Sequence, residues 1–132
     1  MEPKNLWKHF EKFLSIPHTS GNEAGMGKYV LAWAAEKGLE AEQDKAGNVV
    51  VRVPATAGKE NAPVVVLQGH MDMVGEKNSD LDFDFMKDAI QTEMDGDWLT
   101  AKGTTLGADN GIGLAAGMAA AEAEGLVHGP LE

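Results

Sequence analysis

A histidine and an aspartate two positions apart, His70 and Asp72, lie just past the end of the apolar run of residues 64–67. The run predicts a buried strand, and open α/β sheets place their chemistry at the carboxyl ends of strands. Residues i and i+2 of an extended backbone point the same way, so the carboxylate of Asp72 can reach the ring of His70. A carboxylate on one ring nitrogen leaves the other nitrogen free to bind metal. The pair therefore suits a metal site, although it can equally form an ordinary hydrogen bond at a strand end.

A second polar segment, residues 104–113, combines glycines, hydroxyl groups and one carboxylate just before a long alanine-rich stretch that predicts a helix. Asp109 or Asn110 is placed to cap that helix, and such a cap contributes about 1 kcal/mol. The helix dipole also favours an ionised carboxylate at this end. From its position alone, Asp109 is therefore a candidate helix cap and a candidate metal ligand.

Three segments resemble, in order, signature segments of the aminoacyl-histidine dipeptidases, also called Xaa-His dipeptidases or peptidase D. The segments are residues 15–23, residues 68–74 with the Glu-Lys-Asn string at 76–78, and residues 104–111. The resemblance implies a two-zinc metallopeptidase that hydrolyses dipeptides with a C-terminal histidine. It also implies an α/β fold, the N-terminal part of a three-layer zinc-peptidase-like catalytic domain with a mixed sheet and flanking helices.

The same resemblance implies roles for three side chains. His70 would bind one zinc ion, Asp109 would bridge two zinc ions, and Asp72 would be the catalytic carboxylate that orients His70. Zinc accepts imidazole nitrogen and carboxylate oxygen, and a bridging carboxylate screens the repulsion between two ions. The chain contains no cysteine, which excludes a thiolate site.

The length of 132 residues departs from the family, whose enzymes are several times longer and have their paired glutamates and remaining ligands downstream of Asp109. No Glu-Glu pair occurs in this sequence. We expect residues 1–132 to form the N-terminal portion of a catalytic domain, without an internal boundary, and to hydrolyse no dipeptide alone. Three alternatives stay open: a related two-metal aminopeptidase, an N-acyl amino acid deacylase, and a non-catalytic binding module.

The net charge is −10, from 11 basic and 21 acidic residues. Such a chain repels phosphates, which argues against nucleic-acid or membrane-surface partners. Many of the acidic residues fall within residues 80–97 without the spacing of a calcium loop, and they predict a solvated loop. No stretch approaches the roughly 20 apolar residues of a membrane span. We expect a cytoplasmic protein whose partner is a dipeptide substrate.

Apolar spacing predicts the elements that must position these residues. One helix follows Pro3, with His9 on its surface, and a second begins at a capping box formed by Ser20 and Glu23. Hairpins are predicted for 40–43 with 49–53 and for 90–93 with 98–101, and a buried helix for 112–124. The edge of the strand at 64–67 would be open to another chain, so we expect a homo-oligomer.

Overall fold

Seven elements follow one another in the computed structural model, which describes every residue from Met1 to Glu132. They are α1 (Lys4–Leu14), α2 (Ala24–Glu36), β1 (Glu40–Gln43), β2 (Val49–Arg52), β3 (Thr92–Asp95), β4 (Trp98–Ala101) and α3 (Ala108–Ala121). The three helices and the two hairpins agree with the prediction from apolar spacing and turn residues. No helix has the length and apolar character needed to cross a bilayer.

The core lies between the helices, where α1 packs against α3. Phe10 and Phe13 of α1 are each 1% exposed, and Met26 of α2 and Ala115 of α3 are fully buried. A Cβ atom on Gly111 of α3 would lie 3.2 Å from the ring of Phe10, so the absence of a side chain there permits the close approach of the two helices. This contact fixes the beginning of α3 against α1.

The sheet differs from the prediction. The structure has two separate antiparallel hairpins, β1–β2 and β3–β4, and not a mixed sheet. The β1–β2 hairpin packs against α2. In the β3–β4 hairpin the turn contains Gly96 with a φ of +59°, the left-handed conformation that glycine adopts without strain.

The apolar run at residues 64–67 is exposed, so the prediction of a buried strand is wrong. The exposed fractions of its four residues lie between 49% for Leu67 and 62% for Val66. Its backbone pairs with the C-terminal segment, where Val65 forms a single parallel bridge with Leu131. On its other side, Leu131 forms a single antiparallel bridge with Val53. An apolar run is buried only where neighbouring strands and a covering layer enclose it, and here one side stays open.

Two predicted helix caps are also wrong. The residue before α2 is Glu23, and that before α3 is Gly107, and neither helix has a side-chain cap. Asp109 and Asn110 have non-helical backbone angles inside the first turn of α3. The side chains of Ser20 and Asp109 are therefore available for other partners.

Candidate metal and catalytic site

The structure brings His70, Asp72 and Asp109 together. Nδ1 of His70 lies 3.0 Å from Oδ1 of Asp72, and Nε2 lies 3.1 Å from Oδ1 of Asp109. The side chains of His70 and Asp72 are partly exposed, at 49% and 34%, and that of Asp109 is 93% exposed. One imidazole thus stands between two carboxylates at the protein surface.

The loop that follows α1 positions Asp72. The amide of Met73 donates to the carbonyl oxygen of His18 at 3.0 Å, and the amide of Ser20 donates to the carbonyl oxygen of Met73 at 3.2 Å. His18 and Met73 are buried, with 4% and 3% exposure. Because two buried residues anchor this short parallel pairing, Asp72 is held beside Ser20.

The start of α3 positions Asp109. Gly107 has a φ of +77°, and a Cβ atom there would lie 3.0 Å from Sδ of Met73. Glycine therefore allows both the left-handed turn and the close packing on Met73. Since Met73 also anchors the Asp72 segment, the two parts of the site share one buried support.

Ser20 is the functional candidate that the sequence patterns did not identify. Its hydroxyl donates a hydrogen bond to Oδ2 of Asp72 at 2.5 Å. The pattern of Ser20 with Glu23 three residues later indicated a capping box, but Oε1 of Glu23 instead accepts the amide of Gly21 at 2.6 Å. The membership of Ser20 in the first family-like segment, residues 15–23, was the one available signal.

The carboxylates shift the proton equilibria of the site. Hydrogen bonding to Asp109, and further contacts with Asp72, raise the pKa of His70 above its ordinary value. The hydroxyl of Ser20, followed by His70, lowers the pKa of Asp72. Asp72 is therefore ionised at neutral pH and can hold a proton on Nδ1 of His70.

The donor set fits part of a zinc site. Two ligand atoms that are each about 2 Å from a tetrahedral zinc ion lie about 3.3 Å from one another. The separation of 3.1 Å between Nε2 of His70 and Oδ1 of Asp109 is close to this value. However, no group of three or more histidine, cysteine, aspartate or glutamate side chains is placed to hold a metal ion.

An open cleft of about 1440 Å³ adjoins the site. His70 and Asp72 line it together with β2 and with Gly113 and Gly117 of α3. The lining combines valine side chains with these glycines, and the side chain of Asn110 lies over Gly113. The cleft therefore gives ligands access to the imidazole from the side of α3.

The other histidines lie elsewhere. His9, expected at the surface, is only 3% exposed, because its ring nitrogens contact the hydroxyl of Tyr29 and the carboxylate of Glu122. His18 is buried, with Nδ1 on the carbonyl oxygen of Ile16. His128 contacts the carbonyl oxygen of Gly129 in the C-terminal segment.

The chain corresponds in sequence and in fold to a segment of two dipeptidases. The chain is 53% identical over 132 residues to the cytosol non-specific dipeptidase of Escherichia coli, a match that covers 100% of this chain and 27% of that protein. The crystal structure of aminoacylhistidine dipeptidase from Vibrio alginolyticus matches 99% of the chain and 27% of its own length, with 50% identity and a TM-score of 0.96. The resemblance to this group of dipeptidases is thus confirmed.

More distant structures share the fold. A tripeptidase from Staphylococcus aureus matches 97% of the chain and 34% of its own length, with 22% identity and a TM-score of 0.76. Aminopeptidase PepT from Bacillus cereus gives 20% identity and a TM-score of 0.75, over 97% of the chain and 34% of its own length. No protein-family model matches the chain. The chain spans 27% of the length of the dipeptidases that it matches.

Proposed function

We propose that this chain supplies part of the catalytic site of a zinc-dependent dipeptidase that hydrolyses dipeptides with a C-terminal histidine. The observation that supports it is the convergence of Nε2 of His70 and Oδ1 of Asp109, which are 3.1 Å apart although the two residues are 39 positions apart in sequence. The identity of 53% to a dipeptidase over the whole chain supports the same class of reaction.

In this proposal His70 and Asp109 would hold zinc, and Asp109 would supply carboxylate oxygens to a pair of ions. Bound zinc supplies Lewis acidity toward the peptide carbonyl and the attacking water. Asp72, whose Oδ1 lies 3.0 Å from Nδ1, would accept the Nδ1 proton of His70, which would leave the lone pair of Nε2 for the ion. The exposure of Asp109 leaves its carboxylate accessible to ions and to further protein ligands.

A catalytic zinc ion takes about three protein ligands, whereas this chain brings together two. We therefore propose that the general base and the remaining ligands come from additional polypeptide, and that the 132 residues alone hydrolyse no dipeptide. We further propose a cytosolic location and a homo-oligomer for the whole enzyme. The name of the E. coli relative supports the location.

A chimera tests the function. Residues 1–132 replace the aligned segment of the E. coli dipeptidase, and hydrolysis of dipeptides ending in histidine is followed with and without added zinc. We expect zinc-dependent activity, and we expect His70→Ala and Asp109→Ala each to lower kcat/KM about 100-fold or more. Asp97→Ala, in the exposed turn between β3 and β4, is the matched control and retains activity. A folded chimera that is inactive, or that keeps its activity after either ligand substitution, contradicts the proposal.

A further inference from the structure

We propose that Ser20 is a positioning residue of this site, whose hydroxyl fixes the carboxylate of Asp72 so that His70 keeps its proton on Nδ1 and offers Nε2 to a metal ion. The inference deepens the proposed function, because it concerns the same imidazole. It assigns a role to a side chain for which the local sequence pattern indicated only a helix cap.

The two oxygens of Asp72 have different partners. Oδ2 accepts the hydroxyl proton of Ser20 at 2.5 Å, and Oδ1 lies 3.0 Å from Nδ1 of His70. The torsion that turns a carboxylate is broad and roughly two-fold, so one hydrogen bond alone does not fix its plane. The second hydrogen bond, from Ser20, holds the plane in which Oδ1 faces the imidazole.

The position of the hydroxyl is itself fixed by buried backbone. Thr19 pairs with Met73 in a parallel bridge, and the amide of Ser20 donates to the carbonyl oxygen of Met73 at 3.2 Å. Met73 and His18 on either side of this pairing are buried. Although the side chain of Ser20 is at the surface, its backbone is anchored to the segment that carries Asp72.

Two carboxylates compete for the single proton of neutral His70. Asp72 faces Nδ1 with its carboxylate oxygen Oδ1 and with its carbonyl oxygen, each at 3.0 Å, and Asp109 faces Nε2 at 3.1 Å. A proton on Nε2 would occupy the lone pair that a metal ion needs. Asp109 is 93% exposed and has no second hydrogen bond to fix its carboxylate, whereas Asp72 has Ser20. Ser20 thus strengthens the preference for a proton on Nδ1, which the carbonyl oxygen of Asp72 also supports, and helps to keep Nε2 free.

The test measures the tautomer of His70 in the metal-free chain. Long-range ¹H–¹⁵N spectra report the ratio of the Nδ1-protonated to the Nε2-protonated form at a pH where the ring is neutral. Removal of one hydrogen bond to a charged group by Ser20→Ala is expected to lower this ratio about threefold or more. Ser20→Thr, which keeps the hydroxyl, is expected to restore it.

Two controls separate positioning from a general loss of structure. Ser15→Ala removes a hydroxyl that donates to the carbonyl oxygen of Lys12, away from Asp72, and leaves the ratio at His70 unchanged. His18, whose Nδ1 contacts the carbonyl oxygen of Ile16, keeps its tautomer in Ser20→Ala if the loop is intact.

An unchanged ratio at His70 in Ser20→Ala overturns the inference. So does a change that appears at His18 as well, or one that Ser20→Thr fails to restore. Because the spectra need neither metal nor hydrolysis, this outcome is independent of the chimera experiment. An inactive chimera would contradict the proposed function. The spectra alone would still decide whether Ser20 orients the ring of His70 through Asp72.

Discussion

Replacement of Glu122 by alanine is expected to weaken the packing of all three helices. The carboxylate lies just after α3, and its side chain is 6% exposed. It accepts the Nε2 proton of His9 from α1 at 3.1 Å and the Nε1 proton of Trp33 from α2 at 3.2 Å. Nζ of Lys37 lies 3.0 Å from the same carboxylate. One buried group therefore joins residues from three helical regions.

The magnitude follows from the donors that lose their partner. An unpaired buried donor costs about 1–3 kcal/mol, and two such donors, on His9 and Trp33, remain in Glu122→Ala. The ion pair with Lys37 adds less than about 1 kcal/mol, because the ammonium group is half exposed. We expect the free energy of unfolding to fall by about 3 kcal/mol in total.

Urea denaturation measures this loss. A decrease of about 3 kcal/mol lowers the midpoint by about 1.5 M if the m-value is about 2 kcal/mol/M and does not change. Glu124→Ala, an exposed carboxylate two residues along the chain, is the matched control and should change stability by less than about 0.5 kcal/mol. Glu122→Gln, which keeps one acceptor oxygen, should give an intermediate loss. If Glu122→Ala behaves like Glu124→Ala, the network does not stabilise the helices and the reasoning is refuted.

Three further perturbations test other parts of the account. Burial lowers the pKa of His9, so the unfolded chain takes up a proton at this ring first and the folded state loses stability as the pH falls below about 6.5. His9→Gln should therefore reduce the difference in unfolding free energy between pH 7 and pH 5.5. An unchanged difference contradicts this. Gly107→Ala should lower the free energy of unfolding, measured with urea, by about 2–3 kcal/mol, because the left-handed turn is packed on Met73. Gly58→Ala, whose left-handed glycine has open space around it, should lower it by about 1 kcal/mol. Equal losses contradict the packing argument. The exposed run at residues 64–67 should make the chain self-associate, which sedimentation measures. Val66→Lys should reduce the self-association, whereas the exposed control Val74→Lys should not. A monomeric unmodified chain contradicts this prediction.

The helices and hairpins could be predicted because their signals are local. Apolar side chains recur at helical spacing in α1 and α2, and Gly96 marks the tight turn between β3 and β4. Whether residues 64–67 are buried or exposed depends on neighbours that are distant in sequence, and the apolar character of the run does not identify these neighbours. The burial of His9 depends in the same way on Glu122, 113 residues away in sequence.

The candidate site was predictable in part. The proximity of His70 and Asp72 follows from the i, i+2 spacing of an extended backbone, and the structure has their side chains 3.0 Å apart. The approach of Asp109 followed from the family resemblance and not from local periodicity. The local pattern predicts a helix cap for Ser20 because it takes account only of neighbours in sequence, whereas the hydroxyl reaches Asp72, 52 residues away in sequence.

The most direct test of the account is whether His70 and Asp109 bind the same divalent ion. Zinc is titrated into the ¹⁵N-labelled chain while the Nε2 resonance of His70 is followed. We expect weak, saturable binding that shifts this resonance, and we expect Asp109→Ala to weaken it about tenfold or more. Equal zinc affinity in Asp109→Ala, or a titration that shifts His128 and leaves His70 unchanged, would contradict the shared site.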